Sequence, residues 1–269
     1  MDSGAPAIIR VESLTASYET EVVLDDLSFE VRRGEVFVIL GGSGCGKSTL
    51  LKHMIGLYRP QSGQVHIDGD DIVTATGEAR ERVLRKIGVM YQNGALFGSM
   101  TLLENVRLPL EIFTDLPRDA MDLVARLKLG LVGLDAASQQ YPAEISGGMK
   151  KRAAIARAMA LDPQILLLDE PSAGLDPITS AELDQLILRL ARSLGITFVV
   201  VTHELPSIYT IADRAIMLDK RVKKIVAVGP PSDLRDHSTD PWVRRFFNRE
   251  PETAGVSGEG PSPDNESEI

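Results

Sequence analysis

One glycine-rich stretch has the composition of a phosphate-binding loop. The pattern G-x-x-x-x-G-K-[ST] is matched by Gly41-Gly42-Ser43-Gly44-Cys45-Gly46-Lys47-Ser48, between an apolar strand and a helical pattern. Glycines let backbone N–H groups curl around phosphate oxygens, and the dipole of the following helix adds positive potential. Lys47 would reach the β- and γ-phosphates, Ser48 would ligate Mg²⁺ and Thr49 would add a hydrogen bond. The predicted nucleotide contacts are Gly41, Ser43, Gly44, Cys45, Gly46, Lys47, Ser48 and Thr49, with Cys45 a small spacer whose thiol lies close to the phosphates.

A pair of carboxylates later in the chain has the chemistry for hydrolysis. The apolar segment Ile165–Leu168 ends in Asp169 and Glu170. Neighbouring side chains of a strand point to opposite faces, so Asp169 can face Mg²⁺ while Glu170 faces the water that attacks the γ-phosphate. We predict Asp169 as a metal ligand and Glu170 as the general base. The two motifs together indicate only a P-loop nucleotide hydrolase, with Mg²⁺ held by Ser48 and Asp169.

These residues need a sheet that brings them together, and the hydropathy pattern predicts one. Short apolar strands are predicted at Val36–Leu40, Ile165–Asp169, Ile196–Thr202 and Ala215–Leu218, alternating with helices at Thr179–Leu194 and Glu204–Ala212. This alternation is typical of an α/β fold with a parallel sheet.

Two other regions differ from that core. Ile8–Tyr18 and Val22–Val31 alternate apolar and polar residues, which predicts an N-terminal antiparallel β subdomain. Residues 93–161 show helical runs at 102–108, 118–129 and 149–160 and few strand signals, which predicts a helical subdomain.

Composition restricts the class of protein and its partners. The 269 residues include 38 acidic and 29 basic side chains, so the net charge of −9 provides no positive field for nucleic acid. Apolar runs fall far short of the roughly 20 residues that span a bilayer, and no secretory signal is visible, so we expect a cytoplasmic protein. The single cysteine, Cys45, excludes an intramolecular disulfide and a thiolate zinc site. We expect one domain over residues 1–249 and a disordered acidic tail over 250–269.

A third motif resembles that of a known family. Ser146, Gly147 and Gly148 precede an alanine-rich helical run, which makes a second helix N-terminus suited to phosphate. A Ser-Gly-Gly signature upstream of a strand ending in Asp-Glu resembles the ATP-binding-cassette (ABC) ATPases. The resemblance implies a P-loop ATPase with a RecA-like parallel-sheet core. It also implies a head-to-tail homodimer in which each ATP lies between the phosphate loop of one chain and the signature of the other.

Further positions resemble the family one by one over residues 7–235. Tyr18 resembles the aromatic residue that stacks on adenine, and Gln92 the glutamine that contacts Mg²⁺ and the attacking water. Asp176 resembles an acid that crosses the dimer interface, although it would also cap a helix before Pro177. His203 resembles the switch histidine that senses the γ-phosphate. The resemblance thus implies catalytic roles for Lys47, Gln92, Glu170 and His203, and metal ligation by Ser48, Gln92 and Asp169.

Departures from the usual Leu-Ser-Gly-Gly-Gln signature indicate one branch of the family. Ile145 and Met149, with the segments Gln92–Phe97 and Asp176–Thr179, resemble the ATPases of Mla/Mce-type phospholipid transport systems. This implies transport between the inner and outer membranes of a bacterial envelope, powered from the cytoplasmic face of the inner membrane. The implied partners are an integral membrane permease (MlaE-like) and a periplasmic MCE-domain protein reached indirectly. Whether a small regulatory subunit also binds stays open at this point.

Two surface segments have open interpretations. Phe97, Met100 and Leu102 would line a groove for a coupling helix of the permease, or form ordinary subdomain core. The C-terminal extension, residues 237–249, combines aromatic and arginine side chains that are frequent at interfaces. It would hold the dimer together or dock on its own domain.

Three other functions stay open for this sequence. One is the ATPase of a polar-solute importer, which would have nearly the same cassette residues. Another is a soluble, non-transport cassette that acts on DNA or the ribosome, although the chain has neither a long coiled-coil insertion nor a second cassette. A small-molecule kinase would require neither the Ser-Gly-Gly signature nor His203.

Overall fold

The computed structural model describes residues 6–18 and 21–250, except for the side chain of Tyr18. The strands are β1 (Ala7–Tyr18), β2 (Glu21–Arg32), β3 (Val36–Gly41), β4 (Ser62–Ile67), β5 (Asp70–Asp71), β6 (Ile87–Met90), β7 (Ile165–Asp169), β8 (Thr197–Val201), β9 (Arg214–Asp219) and β10 (Lys224–Gly229). The helices are α1 (Lys47–Met54), α2 (Gly77–Arg85), α3 (Leu102–Phe113), α4 (Arg118–Leu131), α5 (Gly147–Ala158), α6 (Pro177–Leu194), α7 (Leu205–Ile211), α8 (Pro231–His237) and α9 (Pro241–Asn248).

Two sheets organise the described residues. The larger has the order β10-β9-β3-β8-β7-β6, with β9, β3, β8, β7 and β6 parallel and β10 antiparallel to β9. Every residue of β3, β7 and β8 is buried, as expected for parallel strands covered on both faces. The smaller sheet is antiparallel, in the order β2-β1-β4-β5. The predicted combination of an antiparallel subdomain and a parallel core is confirmed.

The topology of the larger sheet brings the predicted site residues to one edge. Ligands in open α/β sheets bind beyond the carboxyl ends of the strands. There β3 leads into the glycine-rich loop, β7 ends at Asp169, β8 is followed by His203, and β6 is followed by Gln92.

The helices α3, α4 and α5, which lie between β6 and β7 in the sequence, pack against one another. Helix α3 begins at a capping box in which Thr101 and Glu104 satisfy each other's backbone N–H groups. Leu102 and Val106 are fully buried in its core face. The predicted groove residue Leu102 is therefore core, whereas the side chain of Phe97 is 51% exposed.

Several elements were not predicted, because their burial patterns are weak. Helix α2 buries only Val83, and β10 is at most half-buried along its length. Residues 251–269, which were expected to form a disordered tail, lie outside the described residues. Within the part of the chain that is described, no helix combines the length and the apolar character that a membrane span requires.

Candidate functional site

A cleft of about 570 Å³ opens at the carboxyl edge of the larger sheet. Its walls include most of the residues that the sequence analysis assigned to nucleotide binding and hydrolysis. They are Gly41, Ser43, Gly44, Gly46, Lys47, Ser48, Thr49, Gln92, Glu170 and His203. Gly42, Val23 and Phe246 complete the lining, and the sequence analysis assigned none of these three to the site.

The glycine-rich loop has a backbone that only small residues allow. Gly41 and Gly46 have φ angles of 148° and 98°, which L side chains rarely adopt. A Cβ on Gly41 would also collide with the Leu218 carbonyl group of neighbouring strand β9. The loop therefore turns sharply out of β3, and α1 begins directly after Gly46 with its first N–H groups free for an anion.

Lys47 spans the loop instead of pointing into solvent. Its Nζ donates to the carbonyl oxygens of Gly41 at 2.9 Å and Gly42 at 3.3 Å. These two neutral acceptors hold the ammonium group at the wall of the cleft. An ammonium so placed, next to glycine N–H groups and a helix N-terminus, fits the phosphate groups of a nucleotide.

Cys45 takes a different position from the one predicted. Its side chain is 2% exposed and packs into the core under the loop with Leu50 and Leu51, and the thiol lies against Gly41. Burial raises the pKa of the thiol, against the opposing effect of Lys47. Cys45 is therefore a packing residue, and its thiol does not line the cleft.

Ser48, which lines the cleft, forms a pair with the buried Asp169 at the end of β7. Ser48 Oγ donates to Asp169 Oδ1 at 3.3 Å. Desolvation raises the pKa of the Asp169 carboxyl, and the Ser48 hydrogen bond opposes that rise. A hydroxyl and a buried carboxylate beside a phosphate loop are the oxygen ligands that Mg²⁺ prefers, so this donor set fits the metal.

Glu170 and His203 form a second pair across the cleft. Nδ1 of His203 lies 2.8 Å from Glu170 Oε1, and the imidazole is 60% exposed toward the cleft. The other oxygen, Oε2, is buried and has no hydrogen-bond partner among the described residues. A buried acceptor without a donor costs free energy unless a further group supplies the hydrogen bond. A water molecule in the cleft would supply it.

The backbone around Glu170 is unusual as well. Glu170 has a φ of 46°, and its N–H donates to the Val201 carbonyl oxygen at 2.8 Å. Such strain in a residue other than glycine persists where surrounding contacts enforce it. One of those contacts comes from Lys151 in α5, whose Nζ donates to the carbonyl oxygens of Glu170, at 3.3 Å, and of Gln92. The sequence analysis assigned no role to Lys151.

The signature and Asp176 lie outside this cleft in the single chain. Ser146 caps α5, its Oγ accepting from Met149 N at 3.2 Å, and its side chain is exposed. Asp176 caps α6 by accepting from the N–H groups of Ile178 and Thr179, both at 3.0 Å. None of Ser146, Gly147, Gly148 and Asp176 is among the described residues that line the cleft. The capping role foreseen for Asp176 is present.

Two aromatic residues, Tyr18 and Phe246, belong to strand β1 and helix α9. Tyr18 ends β1, where its backbone pairs with Glu21, and its side chain lies outside the described residues. Phe246 comes from α9, the helix of the C-terminal extension, which docks on its own domain through the buried residues Val243 and Phe247. The sequence analysis left open whether the extension holds the dimer or docks on its own domain, and in the described chain it docks on its own domain as a helix.

Comparison with known proteins gives consistent results. A family model described as ABC transporter matches residues 24–173. The probable ribonucleotide transport ATP-binding protein mkl of Mycobacterium leprae is 42% identical over 240 residues, which cover 89% of this chain and 68% of that protein. The intermembrane phospholipid transport system ATP-binding protein MlaF of Escherichia coli is 38% identical over 248 residues, 92% of this chain and 91% of MlaF.

Solved structures agree in fold. CbiO1 from Clostridium perfringens, part of the ABC transporter complex cbiONQ, has a TM-score of 0.78 at 29% identity, covering 86% of this chain and 91% of that one. A dimeric post-hydrolysis state of the ATP-binding cassette MJ0796, bound to ADP and Pi, has a TM-score of 0.75 at 30% identity, covering 82% of this chain and 98% of that one.

Proposed function

The chain belongs to the ABC transporter family of ATP-hydrolysing cassettes, and on that premise we propose that it powers phospholipid transport of the Mla/Mce type across a bacterial envelope. The observation that carries the proposal is the match to MlaF, which extends over nine tenths of both chains. The segments Gln92–Phe97 and Asp176–Thr179, together with the departures at Ile145 and Met149, support the same branch.

For hydrolysis, we propose one role for each of three residues that line the cleft: Glu170, His203 and Lys47. Glu170 Oε2, the buried oxygen without a donor, accepts a proton from the water that attacks the γ-phosphorus. His203 holds the other oxygen of that carboxylate and faces the γ-phosphate. Lys47 leaves the carbonyl groups of Gly41 and Gly42 for phosphate oxygens and stabilises the charge of the transition state.

Ser48, Asp169 and Gln92 are the residues that we propose for Mg²⁺. The hydroxyl and carboxylate are already within 3.3 Å of each other, and Gln92 lines the same cleft. When bound, Mg²⁺ neutralises the developing charge on the β- and γ-phosphate oxygens. Tyr18 is proposed for adenine stacking from its position at the end of β1.

The exposed signature supports a head-to-tail homodimer. Ser146 and Gly147 are exposed at the start of α5, and they are not in the cleft of their own chain. A helix N-terminus without an anion in its own chain fits the phosphates held by a second copy. Gly148, in the first turn of α5, packs against Thr179, in the first turn of α6. Asp176, which caps α6, therefore lies near the exposed start of α5.

The proposed permease contact lies in the loop after Gln92. The fully buried side chain of Asn105 fixes this loop, because it accepts from Phe97 N at 2.8 Å and donates to the carbonyl groups of Phe97 and Met100, both at 3.1 Å. Phe97 is thus an exposed aromatic residue on an anchored backbone, which suits a coupling helix of a membrane protein on the cytoplasmic face. Met100 is half-buried beside it, and Leu102 is excluded by its burial.

The test is to identify what the chain binds in its own host. The Glu170→Gln variant is expressed with a removable tag, membranes are extracted in mild detergent, and co-purifying proteins and lipids are identified by mass spectrometry. The proposal expects a multispanning permease, an MCE-domain protein and enriched phospholipid. Recovery of ribosomes, of DNA or of no membrane protein at all would contradict a transport function.

A polar-solute transporter is the second candidate, because a relative at 42% identity is named as a probable ribonucleotide transport protein. The cassette residues of the two systems are nearly the same. The same purification separates them, since a permease that co-purifies with a soluble solute-binding protein, without enriched phospholipid, favours the second candidate.

A further inference from the structure

We propose that Lys151 is a positioning residue that couples the two nucleotide sites of the dimer. It does so by tying the helix that begins at the signature to the loops of Gln92 and Glu170 in its own chain. The proposal rests on the head-to-tail dimer proposed above, and does not depend on what is transported.

The contacts of Lys151 are specific to two site loops. Its side chain is buried, and its Nζ donates to the main-chain carbonyl oxygens of Gln92 and, at 3.3 Å, of Glu170. Gln92 follows β6 and Glu170 follows β7, and these strands are hydrogen-bonded neighbours. A buried ammonium needs such acceptors, so Lys151 fixes the separation of the two loops.

Glu170 depends on this support more than an ordinary residue does. Its φ of 46° is sparsely populated, and its backbone is held by the Val201 carbonyl oxygen on one side and by Lys151 on the other. If the Lys151 contact is removed, residue 170 can relax, and its carboxylate moves relative to the cleft. A displacement of about 1 Å in a catalytic group is enough to cost about 100-fold in rate.

The same helix carries the signature at its start. Ser146 caps α5, and Lys151 lies little more than one turn further on. In a head-to-tail dimer Ser146 meets the nucleotide of the partner, while Lys151 holds the catalytic loops of its own chain. Helix α5 is a rigid connection between Ser146 and Lys151. A shift of its N-terminus on ATP binding therefore moves the carbonyl groups of Gln92 and Glu170, to which Lys151 donates.

A second cation on α5 provides a contrast. Arg157 donates to the carbonyl oxygens of Gly94, at 2.8 Å, and Ala95, at 2.7 Å, and so holds the loop after Gln92. Both of these contacts lie in that loop, whereas Lys151 also reaches Glu170. Loss of Arg157 is therefore expected to loosen only the loop after Gln92. Loss of Lys151 is expected to free the loops of both Gln92 and Glu170 from α5.

The experiment compares full-length Lys151→Met with Lys151→Arg, and uses Lys150→Met as the matched control on the half-exposed side of α5. Steady-state ATPase rates, their Hill coefficient, affinity for a fluorescent ATP analogue and the melting temperature are measured for each. We expect Lys151→Met to lower kcat by about 10- to 100-fold. Its analogue affinity should change less than about threefold, and its Hill coefficient should fall toward one. Lys151→Arg should recover much of kcat, because a guanidinium can also donate to two carbonyl groups.

Two outcomes would overturn the proposal. One is a folded Lys151→Met with the kcat and Hill coefficient of the wild type. The other is a fall in kcat that follows the melting temperature in all variants, including Lys150→Met, which would make Lys151 merely structural. A wild-type Hill coefficient of one would overturn the coupling of the two sites, while the kcat comparison would still test whether Lys151 positions Glu170.

Mixed dimers give a measurement that does not depend on the stability of a homodimeric variant. Lys151→Met chains are mixed with Glu170→Gln chains, so that the only competent Glu170 lies in the chain without Lys151. We expect a rate well below that of wild-type chains mixed with Glu170→Gln. Equal rates in the two mixtures would show that Lys151 does not act on the Glu170 of its own chain.

Discussion

The two oxygens of the Glu170 carboxylate have different surroundings, and this difference predicts what the amide variant does. Oε1 accepts from His203, while Oε2 is buried without a donor in the described part of the chain. An amide keeps the shape but cannot take a proton. We expect Glu170→Gln to retain ATP binding and to lower hydrolysis by about 10²- to 10⁴-fold. Single-turnover hydrolysis and binding of a fluorescent ATP analogue measure the two effects separately.

Lys47→Ala is the contrasting variant for this prediction. It removes the ammonium held at the wall of the cleft, so it should weaken nucleotide binding itself. Near-normal turnover by Glu170→Gln would remove Glu170 from the role of general base. Unchanged affinity of Lys47→Ala would place the phosphates elsewhere.

A buried carboxyl group in α6, that of Asp184, leads to a prediction about the pH dependence of stability. Asp184 in α6 is 4% exposed, and desolvation raises the pKa of its carboxyl to about 6; the hydrogen bond from Ser207 opposes this rise, and the like charge of Glu204 adds to it. The unfolded chain therefore ionises this group at a lower pH than the folded chain. As the pH rises from about 4 to 6, the free energy of unfolding falls, and at higher pH it stays at the lower value with respect to this group. We expect Asp184→Asn to be more stable than the wild type at pH 7.5, by on the order of 1–3 kcal/mol.

The measurement for Asp184 is a series of thermal melts from pH 4.5 to 8. The advantage of Asp184→Asn should shrink as the pH falls through 6, because the wild-type carboxyl is then neutral in the folded state. Glu182→Gln, at an exposed position of the same helix, is the control. A constant difference across the series would contradict the raised pKa.

The chemistry of the site could be predicted from the sequence, but not every side-chain direction. Lys47, Glu170 and His203 each follow a buried strand, and parallel strands end at one edge, so their meeting follows from topology. Cys45 lies in a loop whose course depends on the left-handed backbone of Gly44 and Gly46. The loop turns the thiol into the core, and no periodicity in the sequence specifies that turn.

At the scale of elements, the segments with strong burial patterns were predictable and those with weak burial patterns were not. Helix α6 and strands β3 and β8 have strong burial patterns. The segment of helix α9 was predicted only as one rich in aromatic and arginine side chains, and its place beside the cleft results from tertiary packing. There Tyr209 of α7 donates to the Phe247 carbonyl oxygen at 3.2 Å, and the side chain of Trp242 approaches Gly42.

The position of α9 predicts that the C-terminal extension contributes to nucleotide affinity. Phe246 lines the cleft and packs edge-to-face on Phe247, with ring centroids 5.6 Å apart. We expect Phe246→Ala to weaken ATP binding by about 3- to 10-fold through loss of apolar contact, with little change in kcat at saturation. Equilibrium binding of a fluorescent ATP analogue checks this.

Arg244→Ala, at an exposed position of α9, should leave the affinity unchanged. If Phe246→Ala also binds ATP as the wild type does, α9 closes the domain without touching the nucleotide. An equal loss in both variants would indicate that the helix as a whole has detached.

At the scale of the whole molecule, the residues predicted to bind nucleotide do not all line the same cleft of one chain. The phosphate loop, Glu170 and His203 line one cleft, while Ser146 and Gly147 are exposed outside it. A head-to-tail dimer would complete each site with residues of both chains, and such a reciprocal arrangement is isologous and closes by twofold symmetry. Complementation between two inactive variants distinguishes this arrangement from independent chains.

Lys47→Ala and Gly147→Asp are suited to that complementation. The first damages the cleft. The second places a negative charge where a phosphate would approach, and a Cβ on Gly147 meets Leu175 only at an ordinary contact distance of 3.6 Å, so the fold should tolerate it. Each variant alone should be nearly inactive. In a mixed dimer one site combines both defects and the other is intact, so an equal mixture should recover up to about a quarter of the wild-type activity. If each chain worked with its own signature, mixing would restore nothing, because each chain would still carry its own defect.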